Sequence, residues 1–354
     1  MKAAIFYGGK DIRVEDVPMP EPGAGEVQIK IMSAGVCGSD LHPYRGHNPY
    51  GVREPHQRGH ELAGEITALG DGVRALAIGQ RVGIEAEHLL GCGSCRNCKD
   101  GQYHVCPARG LRHGERQESH GFSQYDVCVA ANCHPLPDGV DFDAASQVDC
   151  YACGVHALNR CDIAPGDTAV VLGTGAIGIT LGQVAKAFGV RRVIMVGTRD
   201  EPLQIAMEAN AADEVIVNSR IDPVEAVLEA TGGQGADLVF ETVGGSAPTI
   251  SQAIGMARYG GTVSILGVFT EDQSVDVATA YRKELQLRWS NSYSSQRGVS
   301  EYETALELLA DGRVNPDKFI NKHFALGEIS EAFAAADDKR SSGAIKVMVH
   351  PNAG

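Results

Sequence analysis

At 354 residues the chain is longer than one hydrophobic core usually serves, so two domains are expected, each large enough for its own interior. Its 43% hydrophobic and 21% charged residues are the balance of a folded globular protein and exclude disorder as the organising state. A net charge of -14 excludes a broad phosphate-binding face, because nucleic-acid binding relies on clustered Lys and Arg to displace counterions.

The opening stretch MKAAIFYGGKDIRVEDV carries Lys10, Asp11 and Arg13 where a signal peptide would place its apolar core, so no export signal is read here and a cytoplasmic protein is expected. Over residues 1–150, short runs separated by Pro- and Gly-rich segments predict a mostly β domain: KAAIFY, EVQIKIMSAGV, ELAGEITALG, QRVGIEAE and GFSQYDVCVA. From about Thr168 the rhythm becomes β-α-β-α. Strands TAVVLG, RVIMVG, EVIVN, ADLVFETV and GTVSILG alternate with helices predicted over residues 176–188, 202–210, 223–230 and 246–257. Such alternation calls for a doubly wound parallel sheet covered on both faces, an α/β class. After Leu287, helices over 301–310 and 329–336 and a strand GAIKVMV either complete that sheet or return to the first domain. The longest apolar stretch, 168–184, is interrupted by Gly173, Gly175, Gly178 and Gly182, so no membrane span is expected.

Ten cysteines, four of them between Cys92 and Cys106, fit metal binding in a reducing compartment better than a disulfide framework. Cys92, Cys95, Cys98 and Cys106 follow a C-x2-C-x2-C-x7-C spacing. Two-residue gaps let one turn present successive sulfurs to a single ion, and the longer gap brings the chain round to close a tetrahedron. Four thiolates leave no open position, so this site predicts a structural zinc. Cys128, Cys133, Cys150, Cys153 and Cys161 are expected to be packing residues.

A second constellation lies upstream. CGSDLH puts Cys37, Ser39, Asp40 and His42 in one loop, and GHELAGE supplies His60 and Glu61. Cys and His are usual ligands of a catalytic zinc, completed by an acidic or further thiol ligand with one position left for water or substrate. Each residue alone is more often a packed or hydrogen-bonded structural group. Their order ahead of the four-thiol lobe is what points to metal.

Gly173, Gly175 and Gly178, with Ala176 and Ile177 between the last two, form G-x-G-x-x-G between a predicted strand and a helix. In that context the glycines allow the turn, the approach of pyrophosphate to backbone and the packing of helix on strand, with phosphate at the helix N-terminus. The second strand ends VIMVG, so Gly197 stands where an acidic residue would bind the ribose hydroxyls, followed by Thr198 and Arg199. A small residue leaves room for a 2′-phosphate that Thr198 and Arg199 would bind, which favours NADP over NAD; Asp200 and Glu201 argue the other way.

With these motifs the chain resembles, end to end, the zinc-dependent medium-chain dehydrogenase/reductase family of alcohol, sorbitol and threonine dehydrogenases. The resemblance implies a GroES-like, mostly β catalytic domain over 1–150 and 291–354 that carries the zinc lobe at 91–107. It implies a Rossmann domain over 151–290. It further implies a catalytic zinc on Cys37 and His60, with Glu61 a direct or alternating ligand and Ser39 and His42 a proton relay. Family members carry Glu, Asp or Cys seven residues before the position aligned with His156, which is Asp149 here, beside Cys150. The third ligand therefore stays open between Glu61, Asp149 and Cys150. Two zinc ions per chain and a homodimer or homotetramer, paired near residues 285–290, are implied.

The zinc would act as a Lewis acid on a substrate hydroxyl beside the nicotinamide, Ser39 and His42 carrying the proton away. Ser39, Asp40, His42, Tyr44, Arg45, His47, Glu61 and Asp149 make a polar neighbourhood, which favours a polyol, sugar, cyclitol or amino alcohol, or the matching ketone, over a simple aliphatic alcohol. The charged segment 110–121 reads as a solvated loop that could border the cleft. The rival readings are a simple alcohol dehydrogenase, a biosynthetic ketone reductase with the same site, and a zinc-stabilised nucleotide-binding protein without catalysis.

Overall fold

The computed structural model describes residues 1–47, 54–86, 91–108 and 119–353. Most of the charged segment 110–121 lies outside them. The chain divides into two compact units, one of Met1–Asp149, Ser294–Ala310 and Ile320–Gly354, the other of Cys150–Tyr293 and Asp311–Phe319. Among the described residues no helix is long and apolar enough to cross a membrane.

The first unit is built on a seven-stranded sheet whose spine is the strand Glu26–Gly35. In EVQIKIM, Val27, Ile29 and Ile31 are fully buried while Gln28 and Lys30 stay partly exposed, the period-two pattern of a strand with one dry face. Glu61–Leu69 pairs antiparallel along one edge of this spine, with Gly35 opposite Glu61. The other edge takes Tyr125–Val129 on its first half and the C-terminal strand Lys346–His350 at its end. The strand GAIKVMV thus returns to the β unit, pairing Val349 with Ala34 and Met348 with Gly35. Phe6, Phe122, Phe333 and Tyr44 close the core with ring centroids 5.1 to 6.3 Å apart.

The second unit is a six-stranded parallel sheet in the order Glu214–Val217, Arg192–Gly197, Thr168–Leu172, Ala236–Glu241, Ala257–Ile265, Gln286–Trp289. Numbered along the chain this is 3-2-1-4-5-6, the doubly wound order whose switch point lies beside the first strand. All five residues of TAVVL are buried, as a strand covered on both faces requires. The helix expected over 202–210 begins earlier, at Asp200–Glu208, because Asp200 and Glu201 suit the positive end of the helix dipole. That over 246–257 is shorter, Thr249–Met256, since Pro248 precedes its first turn. Asp311–Phe319 joins this unit through Asn315, which exchanges hydrogen bonds with the Gln183 side chain at 2.8 and 3.2 Å, and through the Phe319 ring on Tyr151.

Candidate functional site

In the first unit, Cys37 leaves the spine strand and N-caps the short helix Gly38–Tyr44. Its backbone N–H donates to Asp40 Oδ2 at 3.0 Å, the return leg of a capping box. Asp40 is fully buried and also faces Arg58 Nε at 3.8 Å and His60 Nδ1 at 3.9 Å. It therefore ties the Cys37 loop to the His60 loop rather than facing a ligand. Burial pushes the Asp40 carboxyl pKa up, against the pull of His60 and Arg58. Gly59, at φ +108°, makes the turn into His60, and a Cβ there would lie 2.9 Å from the Phe122 backbone nitrogen.

Cys37 Sγ, a His60 ring nitrogen and a Glu61 carboxylate oxygen lie within 4.8 Å of one another. Burial works to lower the His60 pKa but is outweighed by the charge and hydrogen bond of Cys37, then by Asp40 and Asp149, so it stands well above its ordinary value. A soft thiol, an imidazole and a carboxylate converging in this way are the donor set of an open zinc site, and the residues fit the metal. Glu61 is almost wholly buried, and its Oε2 accepts a short hydrogen bond from the equally buried Lys346 Nζ, which also donates to Val36 O at 3.3 Å. Gly35 makes room for this pair: a Cβ there would sit 2.1 Å from Glu61 Oε2. Asp149, in the first turn of the helix Val148–Asn159, groups with Glu61 within the same 4.8 Å rather than with Cys37 and His60. Cys150 is buried.

Ser39 and His42 stand three residues apart on Gly38–Tyr44, the spacing of helix neighbours, and both are partly exposed. The His42 pKa is lowered, first by burial and then by Arg45, His47 and Arg58. Two residues of the expected polar neighbourhood are used elsewhere. The Tyr44 ring packs on Phe333 at 5.5 Å, and Arg45 Nε pairs with Asp337 at 2.6 Å.

The four-thiol lobe lies in the same unit. All four sulfurs fall within 4.8 Å of one another, with Cys92–Cys98 at 3.9 Å and Cys95–Cys106 at 3.8 Å. A tetrahedron with Zn–S bonds of about 2.3 Å has edges of roughly 3.8 Å, so the thiols stand at zinc spacing. Backbone N–H groups of Cys92, Cys95 and Cys98 donate to the sulfurs of Cys106, Cys92 and Cys95 at 3.3 to 3.4 Å. The hydroxyl of Ser94 and further N–H donors bring the Cys92 pKa down to about 5. Burial, with the neighbouring thiols, pushes Cys98 up to about 12. Four sulfurs crowded in this way are what a divalent cation would hold. Ser295 N–H, bonded to Gly101 O at 3.1 Å, and the buried Tyr103–Glu85 hydrogen bond fasten the lobe to the unit.

In the second unit, Gly173 takes φ +113°, and a Cβ on Gly178 would lie 2.1 Å from Gly173 O, so neither position accepts a side chain. Gly175 caps the 12-residue helix Ala176–Ala187 and its missing Cβ points into open space, the opening that a pyrophosphate on the helix N-terminus needs. The residues fit a dinucleotide. Gly197 is buried, and a Cβ there would meet Thr174 Cγ2 at 2.6 Å, so a larger residue at that point would require the Thr174 side chain to shift. Thr198 is exposed and Arg199 caps the helix beginning at Asp200. Asp200 is held by Arg220, whose Nη1 donates to Oδ1 at 2.9 Å and whose Nη2 donates to Oδ2. Sequence reasoning missed Arg220 and Lys346. The signal for Lys346 was a lone cation within the apolar run GAIKVMV; Arg220 had none, lying 20 residues beyond its partner.

The model for the alcohol dehydrogenase GroES-like domain matches residues 23–138, and that for zinc-binding dehydrogenase matches residues 176–311. The chain is 34% identical to a sorbitol dehydrogenase of Halalkalibacterium halodurans over 99% of each chain. Among solved structures it is similar to an alcohol dehydrogenase of Escherichia coli CFT073 complexed with NADH, at 28% identity and TM-score 0.85, covering 99% of both chains. It is similar also to a proposed zinc-binding dehydrogenase of Sinorhizobium meliloti 1021 bound to NADP, at 28% identity and TM-score 0.88, again over 99% of both. The glycine cradle, the converging thiol, imidazole and carboxylate, and these matches agree: the chain belongs to the zinc-dependent medium-chain dehydrogenase/reductase family, as an oxidoreductase that uses zinc and a nicotinamide cofactor on a small-molecule alcohol or ketone.

Proposed function

We propose that this enzyme interconverts a secondary hydroxyl of a polyol, sugar, cyclitol or amino alcohol and the corresponding ketone, with NADP preferred to NAD and two zinc ions per chain. The observation that carries this reading is the Cys37, His60 and Glu61 donor set lying within 4.8 Å in a polar setting. The sorbitol dehydrogenase among its relatives supports the substrate class. Cys37, His60 and Glu61 would hold the catalytic zinc, with Asp149, grouped with Glu61, as the alternative third ligand; Cys92, Cys95, Cys98 and Cys106 would hold the structural one. When bound, zinc supplies Lewis acidity at the substrate oxygen and the nicotinamide supplies the hydride acceptor or donor.

The chain's own part in the chemistry is proton handling. Ser39 would relay the hydroxyl proton to His42, which is neutral at physiological pH because its pKa is lowered. The sign is definite: a base must be unprotonated to accept. The pH limb of kcat/KM for oxidation that belongs to His42 therefore falls below about 6.5, the ordinary imidazole value. Comparing pH profiles of the wild type and His42→Gln checks this, and a limb unchanged by the substitution counts against the relay.

The NADP preference is supported by Gly197, Thr198 and Arg199, and by Arg220 drawing the Asp200 carboxylate into an ion pair. The test is a screen of polyols, sugars, cyclitols and simple alcohols with both nicotinamides. Arg199→Ala is expected to cost about tenfold or more in kcat/KM with NADP, the worth of one charged hydrogen bond, and little with NAD. Equal losses with both cofactors would remove Arg199 from the 2′-phosphate. A simple hydrophobic alcohol turning over best would overturn the polar-substrate reading. The edge strand Gln286–Trp289, with Trp289 and nearby Tyr281 exposed, supports a homodimer or homotetramer paired through that edge. The abundance of thiols suits a cytoplasmic setting.

A further inference from the structure

We propose that the first unit carries a third metal site, separate from the two zinc clusters, formed by Asp143, His323 and His350 and selective for a borderline divalent ion such as Zn²⁺ or Ni²⁺. The three residues come from distant parts of the chain and meet on one face of the sheet. Asp143 lies in the first turn of the helix Phe142–Ser146. His323 and His350 lie on the adjacent parallel strands Ile320–Ala325 and Lys346–His350, in which Ala325 stands opposite His350 and His323 opposite Met348. This register places the two histidines diagonally on the same face. Their rings stack with centroids 5.4 Å apart and an interplanar angle of 21°.

One ligand atom from each residue falls within 4.8 Å of the other two. Asp143 Oδ1 is 2.7 Å from His350 Nε2, and Oδ2 is 3.4 Å from His323 Nδ1, so each carboxylate oxygen faces one imidazole. The Ser33 hydroxyl donates to Oδ1 at 2.5 Å and sets the carboxylate's orientation, the role that outer hydrogen bonds play around metal ligands. Two imidazoles and a carboxylate are the protein ligands of an open site, with water completing the coordination. Bonds of roughly 2.0–2.2 Å place tetrahedral ligand atoms about 3.3 Å apart, so the ion takes the place of the bridging proton with a swing of side chains alone. Access is available: the His323 side chain is 48% exposed, those of His350 and Asp143 27% and 25%. No thiol takes part, which separates this cluster from the other two in ligand chemistry. By joining a helix to the last two strands, the ion would staple the C-terminal segment to the body of the unit.

The experiment counts zinc by elemental analysis after equilibrium dialysis of the full-length enzyme against micromolar Zn²⁺. Wild type is compared with His323→Ala, which removes a half-exposed ring, and with Asp143→Asn, which keeps the side chain's shape. The expected result is one ion fewer per chain in each variant, with kcat retained in His323→Ala and a rise in wild-type Tm with Zn²⁺ that both variants lose. Equal zinc content in wild type and both variants overturns the site, as does a wild-type Tm that does not respond to added ion. A Cys37→Ala background separates this from the catalytic assignment: activity falls there, while the one-ion difference between Asp143→Asn and its parent persists.

Discussion

Cys37→Ala is expected to abolish nicotinamide-linked turnover while the fold and the four-thiol lobe survive. Cys37 is a partly exposed helix N-cap outside the hydrophobic core, so its truncation opens no cavity there. What it removes is a thiolate from a donor set of three. Lewis-acid activation is worth several kcal/mol in the transition state, so the loss in kcat/KM is at least about a thousandfold. Zinc content should fall by one ion per chain, and removal of metal by a chelator should reproduce the kinetic effect. Undiminished turnover in either preparation would sink the zinc-dependent mechanism. Loss of activity with unchanged zinc content would instead move the metal to other ligands.

The second large effect concerns stability. Glu61 and Lys346 are each almost fully buried and joined by a short hydrogen bond, so neither charge has water to fall back on. Lys346→Met takes a hydrogen-bonding cation from the buried Glu61 carboxylate beside Gly35, and removal of one member of a buried ion pair costs about 3–5 kcal/mol. The measurement is the urea midpoint of the β unit's unfolding transition in the intact enzyme. A neutral pair, Glu61→Gln with Lys346→Met, should recover much of the loss, because the cost lies in the unpaired charge rather than in the missing bond. A single variant as stable as wild type would show that water or another cation reaches Glu61.

Local chemistry explains which parts of this architecture could be read directly. The four-thiol lobe is legible because its ligands fall within 15 residues and one turn must present them, and the structure sets the sulfurs at 3.8 to 3.9 Å. The glycine cradle is legible for the same reason: Gly173 is required by its positive φ and Gly178 by the Gly173 carbonyl in the same turn. The strands of the parallel sheet were legible because burial on both faces leaves unbroken apolar runs such as TAVVL. Polar residues were read less well. Tyr44 and Arg45 looked like ligand-facing groups, yet an aromatic core and a salt bridge to Asp337 absorb them. Their partners Phe333 and Asp337 lie nearly 300 residues away, beyond any local pattern.

The sequence by itself determined the α/β class, the β-then-α/β order of elements, the four-thiol cluster, the phosphate-binding turn and the pairing of Cys37 with His60. The thiol cluster and the phosphate-binding turn follow from spacing over a few residues, where backbone geometry leaves few choices; the class and element order follow from periodicity, and the pairing of Cys37 with His60 from the family resemblance. The family resemblance implied that the last strand returns to the β unit, but only the tertiary structure set Met348 opposite Gly35, because strand pairing is set by non-local register. That return brings Lys346 to Glu61 and His350 to Asp143. It likewise decided that Arg220 engages Asp200 across 20 residues of chain. Charges find their partners through the fold, since a buried or half-buried ion is stable only where the packed chain delivers its counterpart.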